Sequence, residues 1–319
     1  MKRPNSMRHL DDAIRRLCGG AAQDFVRART VMSNAIVASM LPDGVVKGGS
    51  ALKMRFGEEN TRFTTDLDTA TATDPAAYAA QLDSRLRSGW EGFSGRVIEK
   101  DPASPDGVPE QYVMQPYDVK LDYLGKPWCT VPLEVGHNEI GDADAADWAE
   151  LTDAGELFEA MGFPAPGRVP LMPLDHQIAQ KLHAVSGPGD RARDLIDLQL
   201  IDARAEVDLV AARAVCRRLF SYRQAQAWPP AIAKQKGWDE MYAALAEGLP
   251  VLQDVDEAIR WANEFVARIE DAQKARAEAD GRCRPGESAQ QETGAVCCFS
   301  LAMQSKHLEN PLASFRDPL

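Results

Sequence analysis

The stretch VVKGGSALKMRFGEENTRFTTDLDTA, from Val45 to Ala70, constrains the fold more than any other part of the chain. A short apolar run ends at a Gly48-Gly49 pair, SALKMRF opens a helix, and FTTDLDTAT has the β-branched content of a strand. Strand, tight turn, helix and strand therefore follow one another within a single short excursion. Asp66 and Asp68 flank Leu67, so on a strand both carboxylates leave one face while the leucine leaves the other. Two like charges held that way repel, and a hard cation with a preference for oxygen ligands, Mg²⁺, is the expected counter-charge. Gly49 and Ser50 stand at the start of the helix, where free N–H groups and the helix dipole suit a phosphate. An Asp-x-Asp triplet alone is common on solvated faces, so the remaining sequence has to carry the argument further.

The 319 residues allow two domains, or one domain with an appendage. Residues 1–44 read as a helical lead-in, with Leu10, Ile14, Leu17, Phe25, Val31, Ile36 and Met40 at helical intervals and a break at Gly19 and Gly20. Residues 45–150 carry the strand signals and read as the core. Asp74 and Pro75 look like the cap and first turn of a helix through Leu86, and WEGFSGRVIE like a strand. In YDVKLDYLGKPWCTVPLEVG, Tyr117, Val119, Leu121 and Tyr123 alternate with Asp118, Lys120 and Asp122. This is the pattern of a hairpin turning at Leu124 to Pro127. From Ala145 the pattern becomes helical, and 151–275 is expected to be a mostly α region. Residues 276–319, including GRCRPGESAQQETGAVCC, lack apolar periodicity and read as a disordered tail. The fold class is thus α+β.

A formal net charge of −12 disfavours broad attraction to nucleic acid, so any polyanionic substrate must be gripped by a local basic patch or by metal. Neither a secretory signal nor a membrane span is legible, and a cytoplasmic protein is expected. The six cysteines make no Cys-x-x-Cys pair with a matching second half, which argues against zinc and against a disulfide framework.

Two further clusters line up with the aspartate pair. Glu134 sits in PLEV on a strand whose other face is apolar and could complete a carboxylate triad, with Asp122 and Asp118 on the neighbouring strand as rivals. In DHQIAQKLHAVSGPGDRARDLIDLQLI, a second helix follows a Gly-Pro-Gly loop and carries Asp190, Asp194 and Asp197 on a side distinct from Leu195 and Leu198. Lys181, Arg191 and Arg193 could bind a triphosphate, with Asp194 orienting one of them. A solvated, salt-bridged helix pair is the plainer alternative. The histidines read as structural or surface groups.

Taken in order, these residues resemble a known family. GGSALKMRFGEENTRFTTDLD is similar to the glycine-serine and Asp-x-Asp motifs of DNA-polymerase-β-like nucleotidyltransferases. QIAQKLHAV with RARDLIDLQ is similar to the downstream motifs of their AbiEii/MenT toxin branch, from Val45 to about Ile201, with WPP at Trp228 to Pro230 as a further likeness. The resemblance implies a polymerase-β-like core with a mixed sheet and a mostly α-helical C-terminal region completing the active site. It implies Asp66, Asp68 and Glu134 as metal ligands for two Mg²⁺ ions, and Gly49 and Ser50 as the phosphate-gripping turn. Lys181 and Asp194 match residues such toxins need for activity, with Arg191 and Arg193 beside them at the nucleotide. The expected activity is transfer of a nucleotide from an NTP to the 3′ end of tRNA, blocking translation, in a toxin held by a cognate antitoxin. A tRNA acceptor end also suits the charge argument, because it is a compact single-stranded terminus that Arg191, Arg193, Arg217, Arg218 and Arg223 could receive. Nucleotide transfer to a partner protein's Ser, Thr or Tyr, or an idle nucleotide-binding module, are the alternatives.

Overall fold

The structure is a computed structural model that describes residues 2–102 and 113–282, with side chains to 273. Residues Met1–Ala277 form one compact unit, and Glu278–Leu319 a second, of which the described part is the end of the last helix. The expected disordered tail otherwise lies outside the described residues.

Helix α1 (Met7–Leu17) starts at Ser6, whose hydroxyl accepts from the His9 N–H at 3.3 Å. Gly19 and Gly20, both at positive φ, separate it from α2 (Ala22–Ser39), as the sequence predicts. Strand β1 (Val45–Lys47) runs directly into α3 (Gly48–Phe56), and the chain returns through an irregular segment to β2 (Leu67–Thr71). Asp74 caps α4 (Pro75–Ser88) through two 3.0 Å bonds from the Ala76 and Ala77 N–H groups. Next come β3 (Phe93–Glu99) and the expected hairpin, β4 (Gln115–Tyr123) and β5 (Lys126–His137). Its tight turn places Leu124 and Gly125 at positive φ, as a two-residue connection between twisted strands requires.

Two strands then appear where the sequence predicts helix, β6 (Asp147–Ala149) and β7 (Val169–Leu171), on either side of α5 (Thr152–Ala160). Three residues are too few for a period-two pattern to show, which is why neither is legible in the sequence. The rest is helical: α6 (Leu174–Ser186), α7 (Ala192–Arg204), α8 (Leu209–Arg223), α9 (Trp238–Ala246) and α10 (Val255–Arg282). None of the helices is long and apolar enough to cross a membrane among the described residues.

The described strands form one mixed sheet in the order β3-β4-β5-β2-β1-β7-β6. β2 pairs antiparallel with β1 and parallel with β5, while β7 runs parallel to β1. Leu10, Ile14, Met32 and Ile36 of the first two helices share a core with the buried faces of the strands, so the lead-in packs with the sheet. A second core gathers Ile178, Leu182, Leu195, Phe220, Trp238 and Phe265 from the later helices. Leu52 of α3 is buried in that second core, whereas Ala51 beside it belongs to the first. Helix α3 therefore ties the sheet half to the helical half, and the residues at its start meet groups from both.

Candidate functional site

A cleft of about 720 Å³ opens where α3 starts, lined by Asp66, Asp68 and Glu134 from the sheet half and by Lys181, Arg193 and Asp194 from the helical half. Asp68 lies opposite Glu134 across the parallel β2–β5 pair and opposite Lys47 across the antiparallel β1–β2 pair. Side chains alternate along strands, so register brings the Asp68 and Glu134 carboxylates to one face. Asp66 precedes β2 by one residue and projects to the same side, exposed, with the Thr65 hydroxyl donating to its Oδ1 at 2.9 Å. Asp118 instead pairs with Lys120 at 2.9 Å and Lys100 at 3.5 Å, and Asp122 faces Arg96. Of the three candidates for the third carboxylate, only Glu134 lines the cleft.

Electrostatics bear out the crowding. Burial, with Asp66 adding to it, raises the Asp68 carboxyl above its ordinary range, against the opposing pull of Lys47, Arg193 and Lys181. Glu134 is raised by burial and then by Asp68 and Asp66. Among the described residues, no three His, Cys, Asp or Glu side chains are drawn together tightly enough to enclose a metal ion. The donor set nevertheless fits a hard divalent cation: neighbouring carboxylates supply only oxygen, and each raises the proton affinity of the next for want of positive charge between them.

Glycines shape this wall. Gly48 sits at φ +66, and a Cβ there would strike the Asp68 carboxylate. A Cβ on Gly49 would come within 2.8 Å of the Arg62 guanidinium. The room these glycines leave is thus occupied by Asp68 and Arg62. The Ser50 hydroxyl, expected at a phosphate, donates to the Asp66 carbonyl instead, and Ser50 faces a separate cavity behind α3.

On the opposite wall Lys181 stands in a network, with Asp194 as one of its partners. Lys181 is buried, and its ammonium lies 3.2 Å from Asp194 Oδ1 and 2.5 Å from Asp197 Oδ2. Arg62 reaches the two oxygens of Asp197 through Nε and Nη2, at 3.0 Å each. Burial alone would raise the Asp197 carboxyl, but Lys181 and Arg62 hold it below its usual range. Asp194 Oδ2 is buried with no hydrogen-bond partner among the described residues, an acceptor in the cleft wall. Arg191 and Arg193 are exposed at the rim. Deeper in the wall, His183 touches Arg223 at 3.3 Å, and burial followed by Arg223 lowers its pKa to about 4.

The sequence reading misses three members of this site. Lys47 is only the last residue of a short apolar strand, and Arg62 sits in an irregular segment with no periodicity. Asp197 is visible as one of three spaced aspartates, but nothing in the sequence says that it binds Lys181 and Arg62 together. In total Lys47, Arg62, Lys181, Arg191, Arg193 and Arg223 face the cleft against Asp66, Asp68, Glu134, Glu139 and Asp194, a slight cationic excess in a chain of net charge −12.

Residues 30–264 match the family model described as nucleotidyl transferase AbiEii toxin, type IV toxin–antitoxin system. No curated protein sequence matches the chain. Among solved structures it is similar to MenT4, a nucleotidyltransferase toxin of Mycobacterium tuberculosis H37Rv, at 19% identity and a TM-score of 0.51, covering 86% of this chain and 95% of that one. A second similar structure is JHP933 from Helicobacter pylori, at 16% identity and a TM-score of 0.43, covering 83% of this chain and 99% of that one. At such identities the likeness to MenT4 is one of fold.

Proposed function

Because the chain belongs to the AbiEii nucleotidyltransferase toxin family of type IV toxin–antitoxin systems, we propose that it transfers a nucleotide from an NTP to the 3′ end of tRNA and so blocks translation. Membership of that family also implies an antitoxin partner. The observation that carries the reading is the pairing of two cleft walls, neighbouring carboxylates lined up by the β2–β5 register on the sheet side and a cationic rim on the helical side.

In this reading Asp66, Asp68 and Glu134 would hold Mg²⁺, which when bound would supply charge neutralisation and lower the pKa of the attacking hydroxyl. Arg191 and Arg193, exposed at the rim, take the triphosphate, and Lys47 adds charge beside Asp68. Lys181, already fixed by Asp194 and Asp197, presents its charge without further ordering. The acceptor's 3′ oxygen bonds to the α-phosphorus as the bond to the pyrophosphate breaks. Little covalent chemistry falls to the protein, so positioning and charge account for the catalysis. A tRNA terminus suits a cleft with a local cationic excess, and the exposed Arg217 and Arg218 on α8 offer the acceptor stem a landing.

The test is to incubate the protein with each labelled NTP, Mg²⁺, and total cellular RNA or protein. Label at tRNA 3′ ends is the expected result, with transfer falling as salt rises and falling further in Arg217→Glu/Arg218→Glu than nucleotide binding does. Label confined to protein would replace the tRNA reading with protein modification, and bound but unconsumed NTP would make the chain an idle binding module.

A further inference from the structure

Asp68 and Glu134 are placed by the ladder of a sheet, whereas Asp66 is not. It lies outside β2, at the end of the irregular segment that follows Asn60, where no strand partner fixes the backbone. Backbone carbonyls in such a segment still need hydrogen-bond donors. Three consecutive ones find them in side chains: Lys53 Nζ donates to Thr64 O at 3.4 Å, Asn34 Nδ2 to Thr65 O at 3.5 Å, and the Ser50 hydroxyl to Asp66 O. All three donors are over nine-tenths buried. The residue before them is pinned as well, since Lys53 and Arg27 both stand over the Phe63 ring, at 4.7 and 5.5 Å. Arg62, one step further back, is held by Asp197.

None of the three donors lines the cleft. Each faces instead a separate cavity of about 170 Å³ behind α3. They cannot touch a substrate in the cleft, and whatever they do for the reaction goes through the backbone of residues 64–66. Burial also lowers the Lys53 pKa against the pull of Glu58, 2.7 Å away, so part of the ammonium's desolvation is offset by this pair.

We propose that Asn34, Ser50 and Lys53 are positioning residues that clamp the Thr64–Asp66 backbone and so set the Asp66 carboxylate relative to Asp68 and Glu134. The proposal rests on the transferase reading of the same cleft. It gives Ser50 a task different from gripping phosphate, and it gives Asn34 and Lys53 a task where the sequence reading has none.

The experiment compares wild type with Asn34→Ala, Asn34→Asp, Lys53→Met and Ser50→Ala in two measurements, steady-state transfer and amide hydrogen exchange. The clamp requires kcat to fall by about a hundredfold, as for misplacement of a reacting group by roughly an ångström, with KM for the NTP changed by less than about twofold. Exchange should speed up over residues 62–67 and stay as in wild type in β5 and α7. Ser50→Thr should restore most of kcat, because it keeps the hydroxyl and the adjoining cavity has space for a methyl group. Unchanged exchange at 62–67, unchanged kcat, or faster exchange throughout the chain would overturn the clamp. If wild type itself transfers nothing to RNA or protein, the transferase reading fails, and the clamp then stands or falls on local exchange alone.

Discussion

The two walls of the cleft are built on opposite electrostatic plans. On the sheet side, Asp68 and Glu134 sit in register with too little positive charge between them, and burial raises both carboxyls, with Asp66 adding to the rise at Asp68 and Asp68 and Asp66 to that at Glu134. On the helical side, Lys181 and Arg62 meet Asp194 and Asp197 in a buried network where most charges are answered. The first wall carries carboxylates held above their ordinary range, and the second carries carboxylates paired with buried cations. Loss of a carboxylate should therefore act on chemistry in one place and on stability in the other.

The largest effect expected is on the sheet side. Asp66→Ala or Asp68→Ala should reduce transfer by at least about a thousandfold, the several kcal/mol a catalytic cation supplies. The fold should be no less stable, since a repelling charge has been removed. Near-normal transfer by either variant would end the assignment of these carboxylates to a cation, and a large drop in urea midpoint would show that the wall is structural after all.

Asp197→Ala is the counterpart on the helical side. It strands Arg62 and Lys181 in a buried site, and breaking one partner of such a pair costs about 3–5 kcal/mol. Chemical unfolding of this variant beside Asp68→Ala measures the contrast directly, and equal midpoints would break it. Lys181 belongs to both plans. Lys181→Ala should lose transfer and stability together, and Lys181→Arg should recover the stability better than the transfer, because a planar fork can meet two carboxylates but does not put its charge where an ammonium does. A Lys181→Ala variant that loses stability but keeps transfer would return the helix pair to a purely structural role.

How far these walls were legible in the sequence follows from the same contrast. Spacing along one strand is a local property, so Asp66 and Asp68 announce themselves, and the alternation of Tyr117 to Tyr123 announces the hairpin that delivers Glu134. The glycines are legible as a turn but not as the space for Asp68 and Arg62, because that contact joins residues from separate elements. Arg62 and Asp197 are 135 positions apart, and no periodicity connects them. Strands β6 and β7 were hidden for a different reason, since three residues carry too little pattern. The family resemblance supplied Lys181 and Asp194 as a functional pair, but only the packing of α6 on α7 adds Asp197 as the second partner of the lysine.

The smallest effect, and the sharpest in sign, is the pH dependence of stability measured with a chelator present. A carboxyl whose folded pKa is lowered, as for Asp197, contributes stability above its unfolded pKa, lost as the pH falls through the folded value. One whose folded pKa is raised, as for Asp68 and Glu134, does the reverse: ionising it in the fold is unfavourable, and stability declines as the pH rises from the unfolded pKa through the folded one. Asp68→Asn should therefore gain on wild type as the pH climbs out of the acid range, whereas Asp197→Asn should lose on wild type over the same climb. Each difference can change by at most about 1.4 kcal/mol per pH unit, the slope of a single proton. His183 adds a second window on the helical side, because its folded pKa near 4 makes the fold lose stability as the pH drops from the ordinary histidine value toward 4. His183→Gln should flatten that descent and leave the Asp68 difference untouched. Unfolding curves for Asp68→Asn and Asp197→Asn that shift the same way with pH would mean that the two walls do not differ in the way their charges are answered.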